Sequence, residues 1–224
     1  MPLTLLMFAA LVAVAPPRAK QGVVDETIDR AVATYAKLKT AKATFEQTIT
    51  NPLTGSVVKS RGEFEQQQPN RFALRFTDPK NDRIVSDGRA VWLYLPSTNP
   101  GQVIRMPVGE STVGSLDLAG QFFTAPRTKY VIADAGAATI NGRATRALTL
   151  TPKRPMQSFT KAKVWIDVAD GTLRQFETTE QSGLKRLVTV TALSLNVPVN
   201  GKSFSFSPPK GVRIIDEAAI RGTR

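Results

Sequence analysis

The sequence predicts a mainly β fold, an antiparallel sheet with one N-terminal helix and a short helical cover, and three observations carry that prediction. Apolar residues keep a clear three- and four-residue spacing only between Asp25 and Lys39, and from Lys42 the period drops to two. Short alternating runs then succeed one another at hairpin spacing, separated by turn signals such as Asp87-Gly88, Asn141-Gly142, Asp170-Gly171 and Ser182-Gly183. No helical pattern stands between those runs, so the crossovers that a parallel sheet needs have no candidates.

Taken in order, Leu3 to Ala15 is an uninterrupted apolar run closed by Pro16-Pro17. It is short for a bilayer span and fits the apolar region of a secretory leader, with cleavage after Ala15 or Ala19. A buried N-terminal helix is the alternative, although the two prolines would break it from the next segment. The expectation is a signal peptide over residues 1–19 and one soluble domain over residues 20–224. Next, Ile28, Ala31, Val32, Tyr35 and Leu38 lie on one helical face, with acids at the start and Lys37 and Lys39 at the end. Ala43, Phe45 and Ile49 then alternate with Thr44, Glu46, Thr48 and Thr50, the pattern of a half-buried strand. Asn51-Pro52-Leu53-Thr54-Gly55 supplies the turn. The second strand runs to Gln68, and in the third Phe72, Leu74 and Phe76 alternate with Arg71, Ala73, Arg75 and Thr77, which fixes an inside and an outside.

Further strands are expected at about Asp82–Ser86, Ala90–Leu95, Gln102–Met106, Tyr130–Ala133, Arg146–Thr151, Lys161–Val168, Thr172–Thr179 and Lys185–Leu195. The segment from Val108 to Thr124 breaks the pattern, with Leu116, Leu118, Phe122 and Phe123 set beside Gly114 and Gly120. It predicts a short helical or looping cover over an apolar concave face, which would otherwise expose a large apolar patch. A plug in a solid core would give the same pattern.

Composition excludes more than it assigns. The 224 residues include no histidine and no cysteine, so Ser-His-Asp and Cys-His catalysis, thiolate or imidazole metal sites and disulfides are all excluded. The carboxylates Glu63, Glu65, Asp167 and Asp170 fall at turns or alternating positions, where solvated acids sit. No Gly-rich phosphate loop enters a helix. The chain is therefore expected to be a non-enzyme without catalytic residues, cofactor or metal. The net charge of +12 raises nucleic acid or anionic lipid as a partner, yet Lys and Arg occur singly, and Phe72 to Phe76 alternate toward the buried side, which argues against nucleic acid.

Particular residues resemble a known family. Ala43-Thr44-Phe45-Glu46-Gln47-Thr48, then Gly62, then Gln68-Pro69-Asn70-Arg71-Phe72 resemble the start of the LolA-type outer-membrane lipoprotein carriers. Ile84-Val85-Ser86-Asp87-Gly88 with Val91-Trp92-Leu93-Tyr94 is similar to that family's next hairpin, and Phe204-Ser205-Phe206-Ser207-Pro208-Pro209-Lys210-Gly211-Val212 to its closing signature. The resemblance implies an incomplete, half-open antiparallel barrel whose helices cover an apolar cavity. It implies a monomeric periplasmic protein that takes acylated lipoproteins from an inner-membrane ABC transporter to an outer-membrane acceptor; the scattered Lys and Arg add transient contact with membrane surfaces to the expectation. By position Phe72 resembles the family's aromatic at the cavity mouth, and Leu74 stands where Trp is frequent.

Alternation adds Phe45, Ile49, Phe64 and Phe76 to the acyl-chain candidates, together with Trp92 and Tyr94, which share a face, and Leu116, Leu118, Phe122 and Phe123 of the cover. An ordinary core position is the competing reading of each. Gln68 departs from the Arg that many members carry to latch the cover, replacing a charge-assisted donor by a neutral amide. A sensing or regulatory module, or a carrier of free lipid or glycolipid, would need the same trough.

Overall fold

The computed structural model describes residues 18–108, 120–155 and 158–216. Among these residues twelve strands form one sheet. They are β1 (Thr40–Thr50), β2 (Val57–Gln67), β3 (Arg71–Asp78), β4 (Arg83–Asp87), β5 (Ala90–Tyr94), β6 (Gln102–Pro107), β7 (Tyr130–Ile140), β8 (Arg143–Pro152), β9 (Lys161–Asp167), β10 (Leu173–Thr179), β11 (Lys185–Leu195) and β12 (Arg213–Asp216). Their order is β12-β6-β5-β4-β3-β2-β1-β11-β10-β9-β8-β7, so two antiparallel meanders are joined where β11 pairs with β1, and β12 and β7 stand at the two ends. The sheet is unclosed, as expected of a half-open barrel. Only β12 is parallel to its neighbour, β6.

Helix α1 (Arg18–Ala36) begins seven residues before the expected Asp25. Cleavage after Ala19 would therefore fall inside it, whereas the leader up to Ala15 lies outside the described residues. Val24, Ile28 and Ala31 are buried at helical spacing, which presses one face of α1 onto the sheet. Two single-turn helices, α2 (Gly120–Phe123) and α3 (Pro126–Lys129), complete the described cover. No helix of the described residues is long and apolar enough to cross a membrane.

The concave side holds the main core, in which Phe45, Phe64, Phe72 and Leu74 of the first meander share one cluster with Leu148, Val164 and Phe176 of the second and with Phe122 of the cover. The convex side of the first meander is also apolar, contrary to the expected alternation. Ala73 is fully buried there with Val85 and Phe204. The cause is the segment after β11, which crosses this face as a strap and inserts Phe204 from a 3-10 turn (Gly201–Phe204), its Ser203 carbonyl accepting from Arg75 at 2.5 Å. The Phe-x-Phe signature thus closes the outer face of the sheet.

Gly62 is needed for a steric reason: a Cβ there would collide with the Arg75 carbonyl oxygen where β2 and β3 shift register. Gly62→Ala is expected to cost about 1–3 kcal/mol through overpacking, measured as a lowered urea midpoint; an unchanged midpoint would contradict the close approach.

Candidate functional site

Between α1 and the sheet lies an apolar cavity whose walls come from both meanders. Ala43 and Phe45 of β1 and Phe64 of β2 form one side, while Leu173 and Phe176 of β10 and Val188 and Val190 of β11 form the other. Tyr35 and Leu38 cover it from the end of α1. Strand alternation explains the lining, because Ala41, Ala43 and Phe45 are two residues apart and face the same way. Gln66 contributes a polar side chain to a lining otherwise almost wholly apolar. The volume is about 50 Å³, room for a few water-sized molecules, against roughly 300–1,000 Å³ for pockets that enclose drug-sized ligands.

Tyr35 and Leu38 also form one side of a second pocket of about 300 Å³, which reaches Val32 and Ala36 on α1, Phe123 on α2, and Gln68. This pocket is amphipathic and adjoins the apolar one, with which it shares Tyr35 and Leu38. The expected latch residue lies in its wall, but the Gln68 side chain makes no hydrogen bond to another described residue; only its backbone N–H is engaged, donating to the Lys39 carbonyl at 2.8 Å. Gln68→Ala should therefore leave hydrogen exchange in α1 and α2 nearly unchanged. A large loosening would show that the amide does fasten the cover.

The expected acyl-chain residues divide. Phe45 and Phe64 line the cavity, and Phe76 meets Phe45 edge-on at 5.6 Å. Phe72 and Leu74 are buried in the same core cluster but outside the cavity lining. From the cover, Phe123 stacks on Tyr35 at 5.0 Å, and Phe122 packs on Phe159 and Phe176. Ile49 is half-buried far along β1, opposite Val58, and takes no part in the lining. Leu116 and Leu118 lie outside the described residues.

The structure takes Trp92 and Tyr94 out of the cavity, contrary to expectation. Trp92 pairs with Val85 and Tyr94 with Arg83, so both project from the convex face, where their rings meet Phe206 of the strap at 5.7 and 6.0 Å. Strand alternation places them together but does not say on which side, and an aromatic hairpin fits a strap as well as a cavity. The walls that sequence reasoning missed, Leu173, Phe176, Val188 and Val190, carry the same period-two signal in strands that were expected, yet neither turn chemistry nor spacing tells which strands face each other across the trough.

The fasteners of the cover are polar and sit at its rim. Arg127 of α3 reaches Asp29 at 2.5 Å and Asp25 at 3.0 Å on α1. The Tyr35 hydroxyl accepts from the Leu173 N–H at 2.8 Å, the Thr34 hydroxyl donates to the Asp170 carbonyl, and Arg30 donates to the Val168 carbonyl. Tyr130, buried at the start of β7, donates its hydroxyl to the Gln121 carbonyl at 2.7 Å, and burial pushes its pKa up to about 12. Beneath the end of α1, Asp167 is buried between Arg143 at 2.6 Å and Arg174 at 2.9 Å. Such an arrangement can hold an apolar guest by exclusion of water, and its lining offers no group for proton transfer at neutral pH.

The chain matches the family described as outer membrane lipoprotein carrier protein LolA over residues 36–207. It is 31% identical to an outer-membrane lipoprotein carrier protein of Methylibium petroleiphilum, covering 85% of this chain and 89% of that protein. A protein of the same description from Pectobacterium atrosepticum is 28% identical, with coverage of 81% and 83%. Among solved structures, an uncharacterized conserved protein from Thermus thermophilus superposes with a TM-score of 0.55 over 87% of this chain and 99% of that chain, at 13% identity.

Proposed function

This chain belongs to the LolA family of outer membrane lipoprotein carriers, and from that membership we propose that it is exported to the periplasm, binds the acyl chains of lipoproteins released from the inner membrane and delivers them to the outer membrane. The leader expected over residues 1–19 serves the export, and the partners are an inner-membrane ABC transporter that loads the carrier and an acceptor that unloads it. The protein acts as a monomer and catalyses no reaction. The single observation that supports this reading best is the apolar cavity between α1 and both meanders, with Phe45, Phe64 and Phe176 among its walls.

Magnitudes decide whether this small cavity can widen. Lifting the cover exposes Phe122 and Phe123, whose burial contributes about 1.5–3 kcal/mol each. Each acyl methylene moved from water into the cavity gains about 0.8 kcal/mol. A single chain of a dozen methylenes gains about 10 kcal/mol on that scale, more than the two phenylalanines cost, and each buried residue of α1 that must also move, such as Val24 or Ile28, narrows the margin. Unloading runs the other way, because a bilayer or a more apolar acceptor offers the same gain without the cost of parting the walls.

The test is native mass spectrometry of the protein taken from the periplasm of its own host. A triacylated lipoprotein bound one to one is the expected species. Free lipid, or an empty carrier bound to a signalling partner, would replace the carrier reading by one of the other two functions considered for the same trough.

A further inference from the structure

The β1–β2 hairpin displays apolar side chains that the fold does not use. Leu53 is 83% exposed, Val57 54% and Val58 57%, so three of the seven exposed large apolar residues among the described ones fall on one turn and its following strand. Single exposed apolar residues are ordinary, but a group on one projecting tip is not. The turn that carries them is also built to hold its shape. The Asn51 N–H donates to the Ser56 carbonyl at 2.9 Å, the Gly55 N–H to the Asn51 carbonyl at 2.9 Å, and the Leu53 N–H to the Asn51 side chain at 3.0 Å. Backbone groups satisfied within the turn make it less costly to withdraw the tip from water.

Positive charge flanks the apolar group. On β2, Lys59 stands opposite Thr48, and on β11, Lys185 stands opposite Thr50, which itself pairs with Val57. Both lysines are exposed and neither forms an ion pair with a described residue. Arg186 follows, bound to Gln47 at 2.9 Å and 3.9 Å from Glu180. The β10–β11 turn abuts this hairpin, since a Cβ on Gly183 would lie 3.3 Å from Pro52. The two turns thus form one basic-rimmed apolar tip.

We propose that this tip, Leu53 with Val57 on the face that carries Lys59 and Lys185 and Val58 on the opposite face, is a docking site for an anionic phospholipid bilayer entered edge-on, the apolar side chains reaching the headgroup boundary while the lysines meet lipid phosphates. The proposal rests on the carrier reading for its purpose, though not for its chemistry. Its geometry adds something to that reading. The tip and the Gln68 pocket lie at opposite ends of the eleven-residue β1, and at about 3.3 Å per residue they are separated by roughly 30 Å. A carrier docked by the tip keeps its covered pocket clear of the headgroups and accessible to a protein partner.

The test uses the host-processed protein, free of cargo, floated with vesicles of phosphatidylcholine alone or mixed with phosphatidylglycerol. Wild type is expected to float with the mixed vesicles and to be released as salt rises. Leu53→Asp should lower the partition at least about tenfold, since burial of one Leu supplies that much, and Lys59→Glu about fivefold or more. Leu53 is exposed, so unchanged circular dichroism is expected in that variant; Leu53→Ser serves as a second, neutral truncation. Failure of wild type to float, flotation of Leu53→Asp like wild type, or a Leu53-dependent dimer in sedimentation would each overturn the assignment. Capture of an acylated lipoprotein by the same variants should remain as in wild type, and its absence in wild type would sink the carrier reading without touching the docking result.

Discussion

Phe122→Ala is expected to lower the unfolding free energy by about 3–5 kcal/mol, the range for deleting a fully buried aromatic ring. Phe122 is fully buried, and its ring centroid lies 5.4 Å from Phe176, 5.9 Å from Phe159 and 6.3 Å from Phe123. One side chain of a four-residue helix therefore joins the cover to β10 and to the segment before β9. Urea unfolding measures the loss. Comparison with Phe123→Ala separates two roles, since Phe123 stacks mainly on Tyr35 of α1 and borders the amphipathic pocket. If both variants lost less than about 1 kcal/mol, the cover would be resting on the core without being part of it. The same substitution should also ease opening, so that Phe122→Ala takes up an apolar fluorescent probe faster than wild type at a concentration of urea that leaves both folded.

Asp167→Asn is expected to remove about 2 kcal/mol at neutral pH, only about a few tenths near pH 2, and nothing below that. Burial alone would push the Asp167 carboxyl up, but hydrogen bonds from Arg143, the Ala169 N–H and Arg174 outweigh it and hold the pKa at about 2, below the ordinary 3.8. A carboxyl depressed in the folded state stabilises it fully above the unfolded value and loses that contribution as pH falls through the folded one. The difference from 3.8 to about 2 corresponds to about 2 kcal/mol. Wild-type stability should therefore fall more steeply than that of the variant between about pH 5 and pH 2, with the two curves converging at the acid end. Parallel curves over that range would show that Asp167 titrates alike in both states. The site matters beyond stability because the β9–β10 turn beside it carries the carbonyls of Val168 and Asp170 that fasten α1.

Much of this architecture is legible in the sequence because its signals are local. The period change after Lys42 and the Asn-Gly and Asp-Gly turns place most of the strands and the end of α1 within a few residues, though α1 starts seven residues early; of the expected cover, residues 109–119 lie outside the described residues. What escapes is nonlocal or too small to pattern. The second half of β7 runs through the small residues Ala135, Gly136, Ala137 and Ala138 and has no alternation to detect; its register shifts between Asp134 and Ala137. Strand β12 is four residues long and pairs with β6 across about half the chain. The same blindness misplaced Trp92 and Tyr94: alternation gives parity, and only the strap that packs Phe206 on them decides which parity is the outside. Cavity walls on β10 and β11 were missed because the resemblance motifs fall mostly on β1 to β5.

The seam between β1 and β11 has a kinetic consequence. Its register joins Ala41 to Leu195, residues about 150 positions apart, and closing so long a loop is slow compared with forming hairpins. A chain that emerges N-terminus first makes β1 to β6 early, yet it must wait for almost its last strand before Phe45 and Phe64 acquire their opposite wall. Until that moment the future cavity is an uncovered greasy surface on a nascent half-sheet. The carrier is thus, for the first part of its own life, a sticky client in need of protection, and the step that ends its vulnerability is the same pairing that creates its cavity.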